Sequence, residues 1–95
     1  MSFLLEYGIS EDTIKKIKEN HEESMIFSLL CFKDNVLDVI RYLQSIHVLA
    51  IDELLINRLE LFFLPKEEIK ERFERYNLSV LVELINEDIN VLNNV

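Results

Sequence analysis

Three short segments of this chain share one pattern: Leu4-x-x-Tyr7-Gly8-Ile9, Leu43-x-x-Ile46-His47-Val48 and Phe73-x-x-Tyr76-Asn77-Leu78. In each, two large apolar residues three positions apart lie on one face of a helical turn. A residue suited to ending a helix follows, and then an aliphatic one. Glycine adopts the left-handed conformation of a helix stop without steric cost, and asparagine tolerates it better than most residues. Gly8 and Asn77 suit that role, and His47 suits it less well. The aliphatic residue after the stop then folds back on the preceding turn. The offsets of 39 and 30 residues make the repeat irregular. The pattern predicts an all-α fold of five to seven short helices in stacked helical hairpins, and an irregular solenoid-like repeat is one arrangement it allows.

Size and composition narrow the class. Residues 1–95 suit a single helical domain, large enough for a modest core. One Gly, one Pro and no low-complexity tract leave no place for a flexible linker. No apolar run approaches the roughly 18 residues of a membrane span, and the N-terminus lacks the pattern of a secretory signal, so a cytoplasmic protein without a membrane partner is expected. Cys31 is the sole cysteine, which excludes an internal disulfide, and its neighbours Leu29, Leu30 and Phe32 predict a buried, inert thiol. The formal charge of −8 opposes nucleic-acid phosphates and anionic membranes at long range.

Helix signals recur along the chain. Ser10 is a cap for a helix ending near Asn20, with Glu11 and Asp12 at its positive end and Ile14 and Ile17 facing inward. A second helix over about residues 22–32 turns Met25, Ile26, Leu29 and Leu30 toward the core. Asp34 caps a third, carrying Val36, Val39, Ile40, Leu43 and Ile46. Asp52 caps a helix over about 53–63 whose apolar residues cover most of its circumference, leaving Asn57, Arg58 and Glu60 as a narrow polar side. Pro65 takes the first position of the next helix, with Ile69, Phe73 and Tyr76 inward and the pairs Glu68–Arg72 and Glu71–Arg75 outward. Ser79 opens a short helix using Leu81, Leu84 and Ile85, and Asn86 caps a final turn containing Ile89 and Leu92.

Chemistry-bearing groups are sparse. His21 and His47 lie 26 residues apart, outside any metal-ligand spacing, and read as helix-terminal residues. The acidic runs Glu19, Glu22, Glu23 and Glu67, Glu68, Glu71, Glu74 read as solvated helix faces. No nucleophile triad, phosphate loop or calcium loop is present. Neither an enzyme nor a cofactor or metal site is expected.

The boundary pattern, followed by Ser10-x-x-x-Ile14-x-x-Ile17 in the first unit and Asp52-x-Leu54-Leu55 in the second, resembles the helical repeats of the mitochondrial transcription termination factor family. That resemblance implies short helices stacked into a curved solenoid and binding of nucleic acid. His47 in place of glycine, no proline between Ile17 and Phe32, unequal offsets and an acidic chain depart from the family pattern. The contacts it implies fall near Lys15, Lys18, Arg72 and Arg75.

Two functions follow as expectations. The first is a protein–protein interaction module, able to self-associate as a homo-oligomer, with Leu55, Ile56, Leu59, Phe62 and Phe63 as its interface because the 53–63 helix is apolar nearly all round. The second is a nucleic-acid adaptor whose basic edge combines Lys15, Lys16, Lys18, Arg72 and Arg75.

Overall fold

In the computed structural model, which describes residues 2–94 and all their side chains except that of Asn94, two of the three stops are left-handed helix ends. Gly8 has φ 86° and His47 φ 67°. At the first, the amide of Gly8 donates to the Leu5 carbonyl at 3.2 Å and that of Ile9 to Leu4 at 3.2 Å. At the second, His47 donates to Gln44 at 3.1 Å and Val48 to Leu43 at 3.0 Å. Both are Schellman motifs, and in each the aliphatic residue after the stop is buried, Ile9 and Val48 alike. Histidine pays a steric penalty there that glycine does not.

The third stop differs. Asn77 has φ −68° and ψ 110°, and its side-chain oxygen accepts from the Val80 amide at 3.3 Å, so it starts a helix. Only three residues separate the flanking helices, and the position is used to satisfy the next helix's free amides.

The described residues form seven α-helices: α1 Ser2–Leu5, α2 Glu11–Asn20, α3 Glu23–Cys31, α4 Lys33–Ser45, α5 Ile51–Asn57, α6 Lys66–Glu74 and α7 Leu78–Glu87. Two 3-10 segments, Leu59–Phe63 and Ile89–Asn94, complete the order, and no strand occurs among the described residues. The all-α expectation holds. Ser10 caps α2 as expected, its oxygen accepting from the Thr13 amide at 3.2 Å.

Other boundaries are corrected. Asp34 lies in the first turn of α4, because α3 and α4 are joined through the single residue Phe32, which ends one helix and begins the next. Ala50 takes the cap position of α5, and the Asp52 carboxylate instead accepts a 2.8 Å hydrogen bond from the Thr13 hydroxyl. Pro65 stands just before the first helical residue of α6. The expected continuous 53–63 helix is broken at Arg58, whose φ of −134° and ψ of 48° separate α5 from the 3-10 turn. Asn86 does not cap the last segment, since Asp88 accepts from the Asn90 amide at 2.9 Å. Asn86 bridges to the second stop, donating to the His47 carbonyl at 3.2 Å and accepting from the Leu49 amide at 2.7 Å.

One cluster of buried apolar residues runs from Leu4 to Leu92 and includes Leu43 and Phe73. The radius of gyration, 12.7 Å, is close to the roughly 12 Å of a compact globule of this length. Helices distant in sequence meet: α2 packs on α5, and α4 on both α6 and the Leu59–Phe63 turn. Thr13 and Asp52, the hydrogen-bonded pair between α2 and α5, are 39 residues apart, the same interval that separates Gly8 from His47. The two segments thus meet through equivalent positions.

Candidate docking face

The sequence places the all-round apolar helix at 53–63, but the structure encloses that segment. Leu55, Leu59 and Phe62 are fully buried, and Ile56 and Phe63 are partly buried against the same core. These residues therefore fail as an exposed interface in the folded chain. The reason is the break at Arg58: it changes the phase of the side chains, so that apolar residues that would circle a straight helix are met by α2 on one part and α4 on the other.

An exposed apolar face lies on α3. Leu29 is buried, with Met25 and Ile26 packed beside it. Phe27, Leu30 and Cys31, at three- and four-residue steps, share the opposite face. Phe27 is 68% exposed, Leu30 45% and Phe32, at the bend into α4, 57%. Cys31 is exposed too, contrary to the buried thiol expected, and Leu30 faces outward where an inward position was expected. Phe32 meets the half-buried Phe63 ring edge-on at 6.2 Å between centroids, so the patch continues onto the 3-10 turn. Glu22, Glu23 and Asp34 flank it, with Lys33 the basic neighbour, and all four are exposed. The signal for this face is legible afterwards: no charged residue occurs from Ser24 to Phe32. A helix with one apolar stripe needs one buried side. One that is apolar all round and packed on one side leaves the other in water.

The cations of the expected basic edge come from two helices. Lys15, Lys16 and Lys18 are exposed on α2, which packs principally on α5. Arg72 and Arg75 lie on α6, which packs on α4 and α7, and each is already paired: Arg72 with Glu68 at 2.7 Å and Arg75 with Glu71 at 3.3 Å. Those pairs match the expected helix support. Tyr76 is 47% exposed just beyond α6, and Leu84 is 43% exposed on α7, so neither turns fully inward.

The histidines stand at helix ends. His21 closes α2, its Nε2 lying 2.8 Å from the Ile56 carbonyl, which ties α2 to α5 a second time. Among the described residues, no group of three or more His, Cys, Asp or Glu is arranged to hold a metal ion. None of the described helices is long and apolar enough to cross a membrane. No family model, curated protein or solved structure matches the chain.

Proposed function

We propose that the chain is a protein-docking module that receives an apolar helix of another protein on the outer face of α3. The observation that carries this reading is the exposure of Phe27, Leu30, Cys31 and Phe32 together on and beside a helix whose other side is already packed. Aromatic and aliphatic residues in water at one place are the ordinary anchors of a protein interface. The exposed Glu22, Glu23 and Asp34 around it, on a chain of net charge −8, favour a partner that edges its apolar stripe with lysine or arginine. The same rim sets like charges against each other in a second copy, so a heterologous partner is favoured over a homo-oligomer. Four residues make a small contact, which suits transient association.

The test uses two synthetic amphipathic peptides with the same leucine and phenylalanine stripe, one flanked by lysines and the other by glutamates. The lysine peptide is expected to perturb amide resonances of residues 24–32, to bind less well as salt rises, and to lose binding to Phe27→Ser/Leu30→Ser, whose sites are exposed enough to leave the fold intact. Equal binding of both peptides, or perturbation confined to other helices, would overturn the reading. Sedimentation of the chain alone over a concentration series gives the remaining outcome, since a dimer abolished by the same double substitution would make a second copy the occupant.

The nucleic-acid alternative has less support. Its cations are shared between α2 and α6, and those on α6 are paired with glutamates. It requires salt-sensitive binding that weakens on neutralising Lys15, Lys16 and Lys18.

A further inference from the structure

A second surface gathers positive charge on this acidic molecule. Arg41, Lys66 and Lys70 line a cleft of about 330 Å³ between α4 and α6, together with Asp38, Tyr42 and Ser45. Three cations thus line it against Asp38, with Glu74 beside Lys70 as the second nearby carboxylate. Two of the cations have only long contacts to carboxylates: Arg41 is 3.6 Å from Asp38 and Lys70 is 4.0 Å from Glu74, both pairs more than half exposed. Surface pairs of this kind contribute little and are readily exchanged for a better anion. Arg41 also donates to the Tyr7 hydroxyl and lies over the Tyr7 ring, so it is anchored beside the cleft and supplies field.

The independent observation is Tyr42. Its hydroxyl is buried and has no hydrogen-bond partner among the described residues. A buried O–H without an acceptor is costly, so a ligand oxygen brought to it would relieve that cost. Burial, and then the nearby Glu74 carboxylate, push the Tyr42 hydroxyl above the ordinary tyrosine range, which keeps it protonated as a donor at neutral pH. The slot of about 120 Å³ between Arg58 and Arg72 has both guanidiniums on carboxylates, Glu60 at 3.0 Å and Glu68 at 2.7 Å.

We propose that the α4–α6 cleft binds a small phosphate monoester, whose charge is met by Lys66 and Lys70 and one of whose oxygens accepts from the Tyr42 hydroxyl. A phosphate group offers several acceptor oxygens and a charge near −2 at neutral pH, which matches two ammonium groups and a neutral donor better than a single carboxylate does. The site is separate from α3 and does not rest on the docking function.

Inorganic phosphate and glycerol phosphate, titrated into the isotopically labelled chain at constant ionic strength, test it. Both are expected to give saturable shifts confined to residues 38–45 and 66–70, with chloride giving none. Lys66→Gln/Lys70→Gln should weaken binding by about tenfold or more, since it removes two charge-assisted contacts. Tyr42→Phe should also weaken it while leaving thermal stability equal or higher, because an unpartnered hydroxyl is lost. Phe27→Ser/Leu30→Ser should bind phosphate as the parent does. Shifts that never saturate, an equal response to chloride, or unchanged affinity in the lysine and tyrosine variants would overturn the proposal. So would a single-stranded oligonucleotide that binds through these same residues while the two small phosphates do not.

Discussion

Helix α3 and the segment from α5 through the Leu59–Phe63 turn are both rich in large apolar residues, yet one is half in water and the other is enclosed. Composition does not separate them. What separates them is the number of elements arriving from elsewhere: α2 and α4 close over the second, whereas α3 is joined to α4 through one residue and keeps an uncovered side. An apolar helix is core where the topology brings partners to every face, and a docking surface where it brings too few.

The widest gap between the two regions should appear in matched truncations. Phe62→Ala removes a fully buried ring and is expected to cost about 3–5 kcal/mol, a large part of the stability of a domain this small. Phe27→Ala, at 68% exposure, should stay within about 0.5 kcal/mol of the parent. Urea unfolding of both variants measures the difference, and similar losses would break the contrast.

A smaller effect probes what holds the enclosed segment in place. Thr13 is 6% exposed and its hydroxyl donates to Asp52, tying α2 over α5. Thr13→Val keeps the shape and removes the bond, with an expected loss of about 1–2 kcal/mol read from the same unfolding curves. No loss would mean that apolar packing alone closes the segment.

The entry to that segment gives a gain. His47 is exposed and holds φ at 67°, so His47→Gly should raise stability by about 1 kcal/mol, whereas Gly8→Ala at φ 86° should lower it by a similar amount. Thermal melts of the two variants should move in opposite directions. The smallest effect belongs to the α6 surface, where Glu68→Gln removes the pair with Arg72 and should cost about 0.2–0.5 kcal/mol, less at high salt.

Local signals were the legible part of this fold. Ser10, Gly8, His47 and the glutamate–arginine steps of α6 act through neighbours three to five residues away, and their structural roles follow from spacing. Asn77 shows the limit: the residue that ends a helix in one setting starts one in another, and the choice depends on how closely the next helix follows. Asp52 shows a second limit, since its carboxylate is claimed by Thr13 from another helix. The exposed apolar face lies on a different helix from the one whose composition is apolar nearly all round, for a related reason. Apolar coverage around a helix axis is readable, but a break such as Arg58 and the arrival of distant helices are not. The α4–α6 cleft left no sequence signal, because Arg41 and Lys66 come together only through tertiary packing.

Solvent paramagnetic relaxation on a dilute sample of the unmodified chain tests the central contrast most directly, by comparing side-chain resonances of α3 with those of residues 55–62. Strong broadening of Phe27 and Leu30 with protection of Leu55, Leu59 and Phe62 is the predicted result. Protection of Phe27 and Leu30, or broadening of Leu59 and Phe62, would contradict it.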